Sequence, residues 1–467
     1  MLIRDRIYGV ETEFGSMILK ESGEFVSTYT LVTAHYYAHL GSYPGGVFLQ
    51  KDKKFCWHEN GSLTYVDFND HPEHATAEYR SIRGVVAGLK AGERIMNDMF
   101  ASPMPGTKDY IILYKNNLGW NDQGDANCTF GFHENYSLSL PESNRTNLHT
   151  RLISFLVTRQ ILDGSGTWDK NGTFLLSQRA KWIERITSEG ATFSRALIST
   201  KPTMDTGYRL QLICGDSNML ETAAFLKIGT TAIVLALAEQ GISPPLQSKY
   251  PIQALYNISE SADPHGKFFH LMGNGGAVSA LDVQYEYLKL AKHFLPEAEY
   301  ESEKTCEEFT AVIALWEQAL DAIAGNDKAW MVGRLDYATK KYLFEQAVSK
   351  MPSGSSESDL RKSIDIMYHD IRPGMLHDRI KKRMPHTRML SDGEILAAKV
   401  APPLNTRAYL RARFIAKMRE AERWIRPDIE WNQCSFHEGG LNTTFRIPDP
   451  FCSQSDAFED FLAKIVP

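Results

Sequence analysis

The chain is poor in the features that announce common functions. Its 467 residues carry 51 Lys and Arg against 57 Asp and Glu, for a formal charge of -6 and a pI near 6.2. No basic excess exists to neutralise a phosphate backbone, which excludes an ordinary nucleic-acid reader. Six cysteines are scattered at 56, 128, 214, 306, 434 and 452, with no CxxC pair. That spacing excludes the usual zinc modules and a disulfide framework, and implies reduced thiols in the cytoplasm. The N-terminus MLIRDRIYGVETEFG has acids where a secretory signal needs an apolar core. The most apolar run, IGTTAIVLALA, is too short to span a bilayer. Neither GxxxxGK[ST] nor a well-placed GxGxxG occurs, so the common nucleotide folds are not indicated. A soluble cytoplasmic protein with no membrane partner is the expectation.

What is present is ordinary globular composition, 43% hydrophobic and 23% charged, with length for two or three average domains or one large and one small. RIYGVETEFG, VFLQKDKKFCW, SLTYVDF, YIILYKN and FHENYSLSL read as strands. VVAGLKAGERIMNDMF, LHTRLISFLVTRQIL and NMLETAAFLKIGTTAIVLALAEQ carry helical periods, and helices dominate from about residue 280. PSGSSESD (352–359) has loop composition, and HDRIKKRMPHTR (377–388) reads as a basic surface loop. Ser391 is a plausible N-cap for SDGEILAAKV, and APPLN precedes another helix, TRAYLRARFIAKMREAERW. The expected fold class is α+β: a mixed, largely antiparallel sheet with helices on one side, then a small C-terminal domain.

Chemistry concentrates in TYVDFNDHPEHATAEYR (64–80), which carries Asp67, Asp70, Glu73 and Glu78 with His71 and His74 between them. Alternate side chains of a strand share a face. Glu11 and Glu13 therefore point one way, away from Val10, Thr12 and Phe14, and Tyr65 and Asp67 likewise share a face. Neighbouring carboxylates repel unless a cation lies between them, and Mg²⁺ held by carboxylates and nucleotide phosphates is the usual solution. A solvated sheet face is the alternative for either pair alone. FHENY puts His133 and Asn135 on one face and Glu134 on the other. Lys115 and Arg179 offer donors for phosphate or carboxylate. In GDSNMLE, Asp216 or Ser217 reads as an N-cap, and the helix start could also receive an anion.

In one collinear order the chain holds ETEFG, YVDxxxHPExAT, YKNN, GxHENY, FLVTRQ, LSQR, GDSNMxET, FLKxGTTAxVL, YHDI and PPxxTRAxxR. Together these closely resemble the Pup ligase and its sister, the Pup deamidase or depupylase, of the glutamine-synthetase-like carboxylate–amine ligase group. The resemblance runs over nearly the whole chain. It implies a curved antiparallel sheet cradling ATP and Mg²⁺ within residues 1–390, and a small domain, 391–467, completing the nucleotide site. It implies Glu11, Tyr65 and Glu73 as metal ligands, Asp67 as catalytic base, and Thr76 and Trp431 as ATP contacts. Glu13, His133, Arg179 and Arg407 are further candidates. The implied activity joins the C-terminal glutamate of a Pup-like peptide, or another carboxylate, to an amine through an acyl phosphate. The short interval between the first strand and the YxD strand lacks the depupylase insertion and favours the ligase.

Departures from the pattern are specific. The family's ATP-contacting Arg two positions before the metal Tyr is Leu63 here, with Lys51, Lys53 and Lys54 the cations nearest in sequence. RDEPHAD is reduced to KPTMD (201–205), a family His aligns with Gln211, and a family Glu with Arg413. Three readings stand: a divergent amide-forming ligase, an ordinary Pup ligase or a depupylase-type amide hydrolase, and a non-catalytic ATP-binding protein.

Overall fold

The computed structural model describes residues 1–26, 48–50, 55–67, 71–104, 106–120, 126–139, 145–190, 194–201, 209–273, 275–384, 388–421 and 426–465. The chain is α+β, as expected, and divides into two compact units. One is built mainly from Ile7–Leu113 and Leu390–Pro467, the other from Met1–Arg6, Tyr114–Pro202 and Gly207–Met389. Segment 391–467 thus clusters with the N-terminal strands.

In the Ile7–Leu113 segment five strands pair antiparallel: β1 (Tyr8–Glu13), β2 (Phe48–Gln50), β3 (Phe55–Trp57), β4 (Leu63–Asp67) and β5 (His71–Ala75), in spatial order β1-β5-β4-β3-β2. VFLQKDKKFCW, expected as one strand, is two that pair with each other, Phe48 opposite Trp57 and Gln50 opposite Phe55. The polar KDKK run separates them; it lies outside the described residues, as do Lys51, Lys53 and Lys54 as candidate phosphate partners. β1 alternates buried and half-buried, with Val10 and Thr12 inward and Glu11 and Glu13 on the opposite face.

Behind this sheet runs α1 (Ile82–Met99), started by Ser81, whose hydroxyl accepts from the Gly84 amide. Gly84, Gly88 and Gly92 recur every fourth residue and so form one stripe on the helix. The Tyr79 ring fills the space a Cβ would need at Gly84 and Gly88, and the His74 imidazole fills it at Gly92. Glycine here lets the helix approach the back of β5. The back face is polar yet buried: Thr12, His74, Thr64 and Cys56 stand in one cross-strand row. The Thr64 hydroxyl lies 2.8 Å from His58 Nε2. Burial lowers the His58 pKa to about 3, and burial with the nearby His58 lowers that of His74 to about 3.

In the other unit β6 (Phe132–Ser137), β7 (Arg185–Ser188), β8 (Ala196–Ser199) and β9 (Arg209–Leu212) form a sheet in the order β7-β8-β9-β6, parallel only between β7 and β8. Its central helix is α2 (Glu221–Glu239), long and apolar enough by length and composition to cross a membrane but wholly buried. The run expected to be too short for a span therefore lies in a 19-residue core helix. The start of α2 corrects another expectation. Neither Asp216 nor Ser217 caps it. Asp336 accepts from the Met219 and Leu220 amides at 3.2 and 3.1 Å, while Asp216 binds the amides of Ser165, Gln178 and Arg179. The anion at this helix end is thus an internal aspartate.

Two stretches taken as loops are helical in part. Glu357–Tyr368 begins inside PSGSSESD, with Ser356 as N-cap, and Leu376–Arg383 is a helix with His377 and Ile380 buried. Loop composition and basic charge hid both, because their apolar residues are few. Further on, α3 (Asp392–Val400) has a capping box of Ser391 and Glu394, as expected from Ser391. Ion pairs Arg83–Glu394 and Arg94–Asp392, each at 2.6 Å, tie it to α1. α4 (Arg407–Glu420), a three-stranded sheet of β10 (Arg426–Glu430), β11 (Gln433–Glu438) and β12 (Leu441–Arg446), and α5 (Asp456–Ala463) close the chain. Their core of Leu410, Phe414, Ile429, Phe436, Phe458 and Phe461 packs on Trp57, Leu63 and Ala75, the front face of β3, β4 and β5.

Gly88→Ala is expected to destabilise the protein by about 1–3 kcal/mol, because its Cβ would stand 2.5 Å from the Tyr79 ring. Urea denaturation of the variant checks this. The buried histidines give a pH signature. An unfolded His takes up a proton below about pH 6.5, whereas His58 in the fold does so only near pH 3. His58 therefore contributes stability above pH 6.5 that is lost as pH falls toward 3, with a slope up to ~1.4 kcal/mol per pH unit. Denaturation curves at pH 7, 6 and 5 should show this slope and lose part of it in His58→Asn.

Candidate active site

The strand register builds the site. Glu13 of β1 stands opposite Glu73 of β5, Glu73 opposite Tyr65 of β4, and Tyr65 opposite Phe55 of β3. The next row toward the C-terminal layer is Glu11, Ala75, Leu63 and Trp57. Asp67 lies at the other end, opposite His71. All of these share the front face. Carboxylate oxygens of Glu13, Asp67 and Glu73 come within 4.8 Å of one another. Glu73 is buried, Glu13 half-buried and Asp67 exposed. His71 Nδ1 lies 3.8 Å from a Glu13 oxygen.

Like charge at this spacing is costly. Burial, and then the charges of Glu13 and Glu11, push the Glu73 carboxyl well above its ordinary range. The Tyr65 hydroxyl donates to Glu73, and burial with the neighbouring Glu73 and Glu11 pushes its own pKa well above 10. Tyr65 thus offers a neutral oxygen, oriented by Glu73 and by the edge of the Phe55 ring 5.5 Å away. An all-oxygen donor set with excess negative charge is what a hard divalent cation takes. The residues present therefore fit Mg²⁺. Glu13, only a supplementary candidate in the sequence, belongs with Asp67 and Glu73 to a carboxylate group that could hold one ion.

The other sequence candidates fall into place individually. The Thr76 hydroxyl accepts from the Val10 amide at 3.1 Å, and its own proton has no acceptor among the described residues. Trp431 lies in the two-residue turn between β10 and β11, half-buried, its ring 4.8 Å from that of Trp57 in an edge contact. Arg407 is buried and donates to Glu78 at 2.8 Å and to the Ile447 carbonyl at 3.3 Å. That makes it a brace of the fold. Arg179 is a brace too: its guanidinium is 2% exposed and donates to the carbonyls of Phe130 and Ile213. Buried bonds of this kind leave it unsuited to capture an incoming phosphate. His133 is buried on β6 of the other unit, and Glu134 on the opposite face pairs with Arg159 and Tyr136.

The departures also have positions. Leu63 packs in the apolar cluster with Trp57 and Leu410, so an Arg-sized charge has been exchanged for core. Arg413 pairs with Glu459 at 2.7 Å. Gln211 stands opposite Asn135 on β9. Residues 202–205 of the KPTMD segment lie outside the described residues.

Glu78 is the functional-region residue that sequence reading passed over. Burial would raise its pKa, but the guanidiniums of Arg411 and Arg407 override this and hold it below the usual carboxylate range. Its charge is spent on the scaffold, in contrast to Glu73 five residues earlier. The signal available in sequence was the TRAxxR spacing, which puts Arg407 and Arg411 on one helix face.

A carboxylate cluster on an antiparallel sheet flanked by helices is a site that can hold a divalent cation. Comparison with known proteins narrows the class. Residues 6–435 match the family of the Pup-ligase protein. The chain is 32% identical over 469 residues to the Pup–protein ligase of Nakamurella multipartita, covering 97% of each. A solved complex of the prokaryotic ubiquitin-like protein Pup with its ligase PafA superposes with a TM-score of 0.83 at 26% identity, over 99% of this chain and 92% of that one. The Pup ligase PafA in complex with ADP gives 0.75 at 26% identity, over 89% and 90%. The chain belongs to the Pup ligase family and is an enzyme of the carboxylate–amine ligase class.

Glu73→Gln keeps the shape and removes the charge. It is expected to weaken Mg²⁺ binding by about tenfold or more, or at least ~1.4 kcal/mol. Calorimetric titration with Mg²⁺ checks it, and an unchanged affinity would remove Glu73 from the ligand set.

Proposed function

We propose that this enzyme uses ATP and Mg²⁺ to join the C-terminal glutamate of a Pup-like peptide to a protein lysine in the cytoplasm. The observation that carries the reading is the group of Glu13, Glu73 and Asp67, with Tyr65, on one sheet face. The name Pup–protein ligase carried by its relatives and the ADP bound to a structural neighbour support it.

A carboxylate is a poor acyl donor because oxide is a poor leaving group. Transfer of the γ-phosphoryl of ATP to a carboxylate oxygen gives an acyl phosphate and ADP. Attack by the lysine amine then forms the amide and releases phosphate. Glu13, Glu73 and Tyr65, with Glu11 in the next row, would hold the Mg²⁺. When bound, the ion neutralises charge gathering on the phosphates. Asp67 is exposed at the end of β4, where an amine from solvent can reach it. A lysine amine attacks only after losing a proton, and Asp67 is the base in this reading. The Thr76 hydroxyl has a proton to donate to a nucleotide oxygen. Trp431 presents an indole to the base, and segment 391–467 completes the nucleotide site.

Incubation with ATP, Mg²⁺, a Pup-like peptide ending in glutamate and hydroxylamine should yield ADP and peptide hydroxamate in equal amounts. Asp67→Asn should keep nucleotide binding and lose roughly 10²–10⁴-fold in amide formation with lysine. Hydroxamate from small acids but not from the peptide would redirect the reading to a repurposed amide ligase. Peptide-amide hydrolysis without ligation would favour the depupylase direction.

A further inference from the structure

Around Trp431 the structure holds a device that none of the assigned roles uses. Arg411 of α4 is fully buried, its guanidinium in the corner between two indoles, 4.8 Å from the Trp57 ring and 4.9 Å from the Trp431 ring. One arm, Nη1, donates to the Trp431 carbonyl at 2.9 Å. The other, Nη2, donates to the Gly61 carbonyl at 2.9 Å and to the Glu78 carboxylate. Gly61 has φ +79°, and a Cβ there would meet Ala408 of α4 at 2.9 Å, so the β3–β4 turn is seated directly on this helix. Trp431 is half-buried, with Arg411 and Trp57 against its inner side.

We infer that Arg411 is a positioning residue that fixes the Trp431 indole for nucleotide binding, using Glu78 as its counter-charge. The inference rests on the reading of Trp431 as a nucleotide contact. Physical chemistry makes arginine specific here. A planar guanidinium can lie against an indole face while its edge forks to carbonyl and carboxylate, and an ammonium can do only one of these. Trp431 sits in a two-residue turn, so without the bond to its carbonyl and the cation against its ring the indole has several rotamers to lose on binding. Positioning thus acts on nucleotide affinity before it acts on turnover.

The test is a double-mutant cycle on the full chain, read as ADP affinity by calorimetry with Mg²⁺ present. Thermal melts are recorded for each variant. Trp431→Ala should weaken ADP binding. Arg411→Lys should weaken it roughly tenfold when Trp431 is present, and less than about twofold when Trp431 is already alanine. kcat at saturating ATP should change much less than KM for ATP. Should Arg411→Lys fail to fold, Glu78→Gln replaces it in the cycle, with the same dependence on Trp431 expected. Equal losses in both backgrounds would overturn the inference, because Arg411 would then act without the indole. So would no loss beside an intact Trp431. If Trp431→Ala itself leaves ADP affinity unchanged, the nucleotide reading of Trp431 fails, and the inference fails with it.

Discussion

Repulsion among Glu13, Glu73 and Asp67 is the constraint to which the rest of this unit answers. Three carboxylates within 4.8 Å would spread apart on a loop. Here they sit on paired strands whose register holds each side chain to a fixed row. Burial and the charges of Glu13 and Glu11 push the Glu73 carboxyl above its ordinary range, and the Tyr65 hydroxyl donates to it. A divalent cation among the three carboxylates would offset that repulsion. In the proposed reading, the strand register would then set the geometry in which a metal is held.

Two supports keep the strands from yielding. Behind them the glycine stripe of α1 lets Tyr79 and His74 fill the gap between helix and sheet. In front, beside the acidic row, the C-terminal layer covers Trp57, Leu63 and Ala75. The pair Glu78–Arg411 joins that layer to the strand region, and breaking a buried pair of this kind costs about 3–5 kcal/mol. The chain uses acids of one short stretch in opposite ways. Glu73 has no Lys or Arg partner among the described residues, whereas Glu78 is neutralised by two guanidiniums.

Much of this was legible in the sequence wherever a local period carried it. Alternation alone put Glu11 with Glu13 and Tyr65 with Asp67, and Ser391 was readable as an N-cap. What sequence could not show depended on partners far apart. Asp336 serves the start of α2 from 116 residues away, and Glu78 meets Arg411 across 333. Neither end of such a contact has a local pattern. Arg179 shows the converse: it reads in sequence as a donor for phosphate or carboxylate, but burial against carbonyls makes it a brace.

The same logic explains why Leu63 is tolerable. A guanidinium at that position would need solvent or phosphate, yet the side chain here meets Trp57 and Leu410. Arg411, which bonds the Gly61 carbonyl of the β3–β4 turn, has its fork already committed to Glu78, Gly61 and Trp431. It therefore cannot reach out to replace the missing phosphate partner. Removal of one charge from the rim instead enlarges the apolar contact between the strands and the C-terminal layer. Nucleotide affinity would then rest more on the metal held by the acidic row and on the indole held by Arg411. In the proposed reading both are preorganised parts, and preorganisation is how a site keeps affinity when it has fewer direct charges to offer.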